Sequence, residues 1–141
     1  MIPLRYRVRR RVVETADTVT LALDPVEEPI VAPLPGQFTM MYAFGVGEVP
    51  ISVSGHSGGG IVHTVRAVGA VSRAVAGAGT GDVLGIRGPF GTDWGVPPGG
   101  DLIVMAGGIG LAPLRPVIRQ VAARRDRYGT VAVLIGAGRG G

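Results

Sequence analysis

At 141 residues, 46% hydrophobic and with a mean hydropathy of +0.38, the chain can bury one sizeable core or two small ones. It has no cysteine, which excludes disulfides, thiolate catalysis and any thiolate-held zinc or iron–sulfur cluster within it, and two histidines are too few for a histidine metal site without carboxylate help. The net charge of +4 comes entirely from arginine on the basic side, which permits an anionic ligand or an acidic partner without demanding either.

Arginines at positions 5–11 interrupt the N-terminus with no apolar run behind them, so no secretory leader is expected. The longest uncharged apolar run, 102–114, spans about a dozen residues and is broken by glycines, too short to cross a bilayer. The expectation is a soluble, cytoplasmic protein with no membrane insertion. Its 25 glycines and 11 prolines imply many turns, and so short strands rather than helices.

In chain order, Leu4, Tyr6 and Val8 alternate with Arg5, Arg7 and Arg9, the pattern of a half-buried strand with arginines outward. The run RYRVRRR has two readings, a nucleic-acid patch and a solvated strand face, of which the second is the commoner. After a turn at 15–17, a second strand places Val19, Leu21 and Leu23 inward and Thr18 and Thr20 outward. Residues 27–35 form a proline-rich loop. From 36 to 44 the alternation puts Phe38, Met40, Tyr42 and Phe44 on one face, read as core. Residues 49–54 form another strand, with Pro50 marking an edge or a first residue. Residues 55–60 are a flexible turn and 61–68 a strand. Gly69, Ala70, Val71 and Ser72 then open a short helix at 71–78. A strand at 82–88 leads into a loop from 89 to 100. Short strands with turns between them indicate a closed antiparallel β-barrel.

From Asp101 the grammar changes to strand, helix, strand, the first βαβ unit of a parallel α/β domain. Prolines and glycines at 95–100 mark the boundary, giving expected domains at 1–98 and 99–141. The apolar run Leu102, Ile103, Val104, Met105 leads into Ala106-Gly107-Gly108-Ile109-Gly110. Leu114, Val117, Ile118 and Val121 then recur at helical spacing. Such a turn is either a phosphate cradle, where backbone N–H groups and the helix start attract a pyrophosphate, or a plain tight connection. The dinucleotide fingerprint is imperfect: Gly108 and Gly110 take its first two places, but Pro113 takes the third, where it suits the first turn of a helix.

A barrel followed by a glycine-cradled α/β unit resembles the ferredoxin–NADP reductase superfamily. Four motifs carry the likeness: PGQF at 35–38, VPIS at 49–52, VRAVGAVS at 65–72 and AGGIGLAP at 106–113. Within that superfamily the chain is most similar to hydrogenase and sulfhydrogenase gamma subunits and to the dihydroorotate dehydrogenase electron-transfer subunit. The resemblance implies FAD on the barrel, held along Val49, Pro50, Ile51 and Ser52, with the Ser52 hydroxyl near the flavin N5 as the catalytic contact. Thr64, Val65 and Arg66 would line the isoalloxazine and ribityl chain, and Gly69, Val71 and Ser72 would hold the FAD pyrophosphate. Gly107, Gly108, Gly110 and Pro113 would hold the NAD(P) pyrophosphate.

This chain departs from the family in two ways. The family arginine is replaced by Val49, removing a cation that Arg66 could restore. Relatives also continue with more strands and a cysteine cluster for a [2Fe–2S] centre, whereas this chain ends at Gly141 and reads as truncated in its NAD(P)-binding half. A parallel sheet of two strands and one helix leaves one face uncovered.

The implied function is a flavoprotein electron-transfer subunit, an FAD-dependent NAD(P)H oxidoreductase component. It would pass electrons to an iron–sulfur or hydrogenase-type partner subunit. The cofactors carry the chemistry, so no acid–base pair is needed. Two rivals are a non-catalytic flavin-binding module and a basic nucleic-acid-binding barrel. The latter is disfavoured because Phe38 and Phe44 read as core and leave no aromatics for base stacking. His63 is either near the flavin edge or a satisfied structural residue. Asp93 and Trp94 are assigned to loop packing.

Overall fold

The computed structural model describes residues 2–92, 94–95, 98–107 and 111–136. Six strands form the first lobe: β1 (Leu4–Val13), β2 (Thr18–Pro25), β3 (Phe38–Ala43), β4 (Gly47–Ser57), β5 (Gly60–Arg66) and β6 (Val83–Phe90). They close into an antiparallel barrel in the order β1-β2-β5-β4-β3-β6. Every strand has a partner on both sides for at least part of its length, and alternate residues fill the interior. Tyr6, Leu21, Leu23, Met41, Val65 and Ile86 are fully buried there. A short helix, α1 (Ala70–Ala76), packs Val75 and Ala76 into the same cluster. The Arg11 guanidinium donates to the Ala76 carbonyl (3.1 Å), satisfying one of the helix-terminal acceptors.

The second lobe is β7 (Gly100–Gly107), α2 (Leu111–Ala123), a 3₁₀ turn (Arg125–Arg127) and β8 (Tyr128–Gly136). β7 and β8 are parallel, and α2 covers one face with a cluster of Val104, Val117, Val121 and Tyr128. Ile103 (65% exposed) and Leu134 (52%) lie uncovered, as a two-stranded sheet with one helix requires. α2 begins two residues before Pro113 and contains Pro116, which lacks the N–H that would bond the carbonyl of residue 112.

Three local expectations are corrected. The core face of β3 is Thr39, Met41 and Ala43, not Phe38, Met40, Tyr42 and Phe44; Phe44 is 53% exposed. Both faces of FTMMYA are apolar, so alternation could not choose between them. A six-stranded barrel interior takes the smaller set, and the aromatics go outside. There Tyr42 lies across Gly85, where an added Cβ would sit 3.0 Å from Tyr42 Cβ and 2.9 Å from Pro3 Cβ. Thr18 is buried rather than outward and donates to Asp17 (3.1 Å). Residues 55–57 belong to β4, and the turn is Gly58 and Gly59 alone, at φ +57° and +85°. Positive φ at both positions is the two-residue hairpin geometry that matches strand twist.

The arginines of β1 do face solvent, but several are occupied. Arg5 pairs with Glu27, and Arg9 with Asp24 at 3.1 Å. With Arg11 turned to α1, the run is a solvated strand face.

Candidate functional site

The ladder between β4 and β5 runs only from Ser57↔Gly60 to Val53↔His63. Beyond it the strands part. Residues 47–52 of β4 stay paired with β3 alone, and residues 64–66 of β5 with β2 alone. A seam therefore opens in the barrel wall, its lips formed by 49–52 and 64–66. Pro50 suits such a lip, because it has no N–H to leave unpaired.

The predicted residues divide by strand parity. Val49 and Ile51 pack on the barrel core and can meet a ligand only through backbone. Pro50 and Ser52 face outward. The Ser52 carbonyl accepts the His63 Nδ1–H (3.0 Å), while its hydroxyl makes no hydrogen bond among the described residues. On the other lip Val65 is fully buried, and Thr64 and Arg66 face outward. The Thr64 hydroxyl lies 2.9 Å from that of Thr20, which donates to Glu14 (2.8 Å). Arg66 Nε donates to Asp17 Oδ2 (3.1 Å). Hydrogen bonds from Thr15, Arg66 and Thr18 together hold the Asp17 carboxyl below its usual range.

β5 leads directly into the turn at 69–72. Val71 touches the start of β4, with its Cγ2 3.2 Å from where a Cβ on Gly47 would lie, so this turn stands between the two lips. The Ser72 hydroxyl is committed internally: it accepts the N–H groups of Val68 (3.0 Å) and Gly69 (2.9 Å) and donates to the Gly69 carbonyl (3.2 Å). The backbone N–H groups of 70–72, by contrast, have no helical partner. Gly69 sits at φ −140°, a conformation open to any residue, and an added Cβ would meet nothing nearer than Ser72 Oγ at 4.0 Å. Neither backbone nor packing requires glycine there. The space above the turn is open.

His63, which sequence left between two roles, is fully buried and structural. Its Nδ1 faces a carbonyl and so carries the proton, leaving Nε2 to accept from the Thr39 hydroxyl (3.1 Å). Burial pushes its pKa down to about 4.

Of the nucleotide cradle, Gly107 ends β7 opposite Gly136, and Pro113 is half-buried in the first turn of α2. Gly108 and Gly110 lie outside the described residues. Two residues to which sequence reasoning gave no site role, Gln37 within the PGQF motif and Trp94 assigned to loop packing, position this region; Asp93 lies outside the described residues. Gln37 accepts from Leu34 N (2.9 Å), donates to the Gly91 carbonyl (2.8 Å) and offers its own carbonyl to Val53 N (3.2 Å). Trp94 donates its backbone N–H to the Pro35 carbonyl (2.8 Å) and its indole N–H to the Pro113 carbonyl (3.2 Å). A lone tryptophan in a Gly- and Pro-rich connection was the available signal. The lobes also meet at a groove of about 500 Å³ lined by Pro33, Gly55, His56, Pro116, Arg119 and Arg124. An added Cβ on Gly55 would lie 2.8 Å from Arg119 Nη1. Among the described residues no group of three or more His, Cys, Asp or Glu could hold a metal, and no helix is long and apolar enough to cross a membrane.

The arrangement of barrel and following α/β unit recurs in solved structures. The NADH-dependent reduced ferredoxin-NADP oxidoreductase structure aligns at a TM-score of 0.81 with 22% identity, covering 94% of this chain and 48% of that one. A likeness at this identity shows a shared fold, a closed barrel followed by a parallel α/β unit. In sequence, the chain is 35% identical over 117 residues to a probable dihydroorotate dehydrogenase B (NAD(+)), electron transfer subunit, of Methanocella arvoryzae, covering 83% of this chain and 43% of the relative. It is also 35% identical over 132 residues to the sulfhydrogenase 1 subunit gamma of Pyrococcus furiosus, covering 88% and 45%. The chain thus spans less than half the length of either relative. No protein-family model matches the sequence.

Proposed function

We propose that the chain is the flavin-bearing part of an electron-transfer subunit that takes electrons from NAD(P)H. It passes them through FAD to an iron–sulfur or hydrogenase-type partner. The carrying observation is the seam: two strands of a closed barrel part just where the four outward residues Pro50, Ser52, Thr64 and Arg66 stand, with the start of α1 beside Gly47 of β4. When bound, FAD supplies hydride acceptance and one-electron release. The residues lining the seam fit that group. Ser52 has an uncommitted hydroxyl on one lip, which would contact the ring system. The N–H groups of 70–72 open α1 next to Gly69, where an added Cβ would meet nothing nearer than 4.0 Å, and they would hold the diphosphate. With Val49 in the arginine place and Arg66 bonded to Asp17, the phosphates are held by backbone dipoles more than by side-chain charge.

The protein's work in this reading is to bind, orient and exclude water. His63 fixes the Ser52 carbonyl and with it the backbone that carries the Ser52 hydroxyl. Gln37 ties the neighbouring strand to two loops. Gly107, Gly108, Gly110 and Pro113, by their place in the glycine motif, would hold the NAD(P) pyrophosphate.

The test is a visible spectrum followed by anaerobic mixing with NADH and NADPH. A yellow protein whose flavin bleaches supports the proposal. A yellow protein that neither nucleotide bleaches leaves a flavin-binding module without reductase activity. A colourless protein that takes up no added FAD refutes the reading.

A further inference from the structure

Only one tryptophan occurs in the chain, and it stands in the connection between the lobes. It is half-exposed, so burial does not explain it. Its bonds do. The backbone N–H holds the Pro35 carbonyl of the barrel, and the indole N–H holds the Pro113 carbonyl at the start of α2. Pro35 opens the segment whose Gln37 carbonyl accepts from Val53, the residue after Ser52. A continuous path therefore runs from the seam lip through Gln37, Pro35 and Trp94 to the first turn of α2.

We propose that Trp94 is a positioning residue that sets the spacing between the flavin seam and the nucleotide cradle. The inference rests on the function proposed above. Reaction between two bound ring systems needs their approach fixed to within about an ångström, and a small misplacement costs orders of magnitude in rate. The indole donor suits this task, because it reaches across the joint from a rigid ring with few torsions to immobilise. The second interlobe contact, Arg119 over Gly55, lies along α2 away from its start. It limits rocking of the helix but does not fix the cradle end. Trp94 does.

Two measurements on the full chain test this. With one tryptophan, the ¹H–¹⁵N spectrum holds one indole cross-peak, whose exchange with solvent reports the bond to Pro113 directly and without cofactor. Exchange slowed about tenfold or more relative to a free indole is expected. Trp94→Phe removes the donor and keeps an aromatic ring. It should retain FAD at the unmutated level, yet lose about tenfold or more in the rate of flavin reduction by NAD(P)H and weaken the long-wavelength band that nicotinamide stacking gives the flavin. An unprotected indole N–H overturns the proposal, as does a Trp94→Phe protein that reacts and stacks like the original. A chain that binds no flavin refutes the proposed function alone. The indole exchange then still decides whether Trp94 ties the lobes.

Discussion

His63 shows how a single buried residue links stability to the site. Its ring is fully buried and neutral, donating to Ser52 and accepting from Thr39, and burial holds its pKa at about 4 against an ordinary 6.5. Between those values the unfolded chain binds a proton that the folded chain refuses, so stability rises with pH across this window and is lost as pH falls through it. The shift corresponds to an order of magnitude of about 3 kcal/mol. Asp17, whose carboxyl is held low, adds a loss at still lower pH. Urea midpoints measured between pH 6.5 and 4 should therefore drop steeply for the unmutated chain. His63→Asn, which keeps a donor near Nδ1 without a titrating ring, should flatten that slope; an unchanged slope would refute the assignment. The sequence showed a strand histidine but not its burial, because inward parity in β5 depends on where the barrel closes. The same lack of three-dimensional information misplaced the β3 core face, where both parities are apolar.

At the scale of elements, the seam and the α1 turn were legible to different degrees. Residues 49–52 and 65–72 were read as strand and as strand–turn–helix, which β4, β5 and α1 bear out, but the parting of β4 from β5 is not written in the residue pattern. What spacing could not reveal is which groups are already spent. Ser72 reads as a phosphate-binding hydroxyl, yet it bonds Val68 and Gly69 and closes the turn itself. A carboxylate at 72 would thus break the turn as well as repel a ligand. Gly69 gives the cleaner test. Its φ of −140° and its open surroundings admit a side chain, and aspartate is a better N-cap than glycine by a few tenths of a kcal/mol. Gly69→Asp should leave the thermal midpoint of the cofactor-free protein equal or higher. FAD retention should fall roughly tenfold or more, the equivalent of about 1.4 kcal/mol of repulsion against the diphosphate. Calorimetry and the flavin-to-protein absorbance ratio read the two effects separately. Lower stability with full flavin occupancy would assign this turn a structural role only.

For the molecule as a whole, the two lobes differ in how much apolar surface secures them. Among the residues whose burial is described, fifteen form the barrel cluster, and closure pairs every strand on both sides for at least part of its length. Among those of the second lobe, Val104, Val117, Val121 and Tyr128 are buried beneath a single helix, while Ile103 and Leu134 on the opposite face remain in solvent. Opening free energies follow buried contacts, so the lobes should not unfold as one unit. Native-state hydrogen exchange should show amides of β7 and β8 exchanging well before those of the β2–β5 ladder. Val117→Ala removes about two buried methyl groups' worth of packing, about 2 kcal/mol with its cavity. It should hasten exchange in β7, α2 and β8 and leave protection in β2 and β5 unchanged. Equal acceleration throughout the chain would mean that the joint at Trp94 and the Arg119–Gly55 contact couple the lobes into one cooperative unit. If the lobes open separately, the second lobe can swing on its joint while the barrel stays folded. In that case the Trp94 bond, rather than either core, would set the spacing between the two proposed sites.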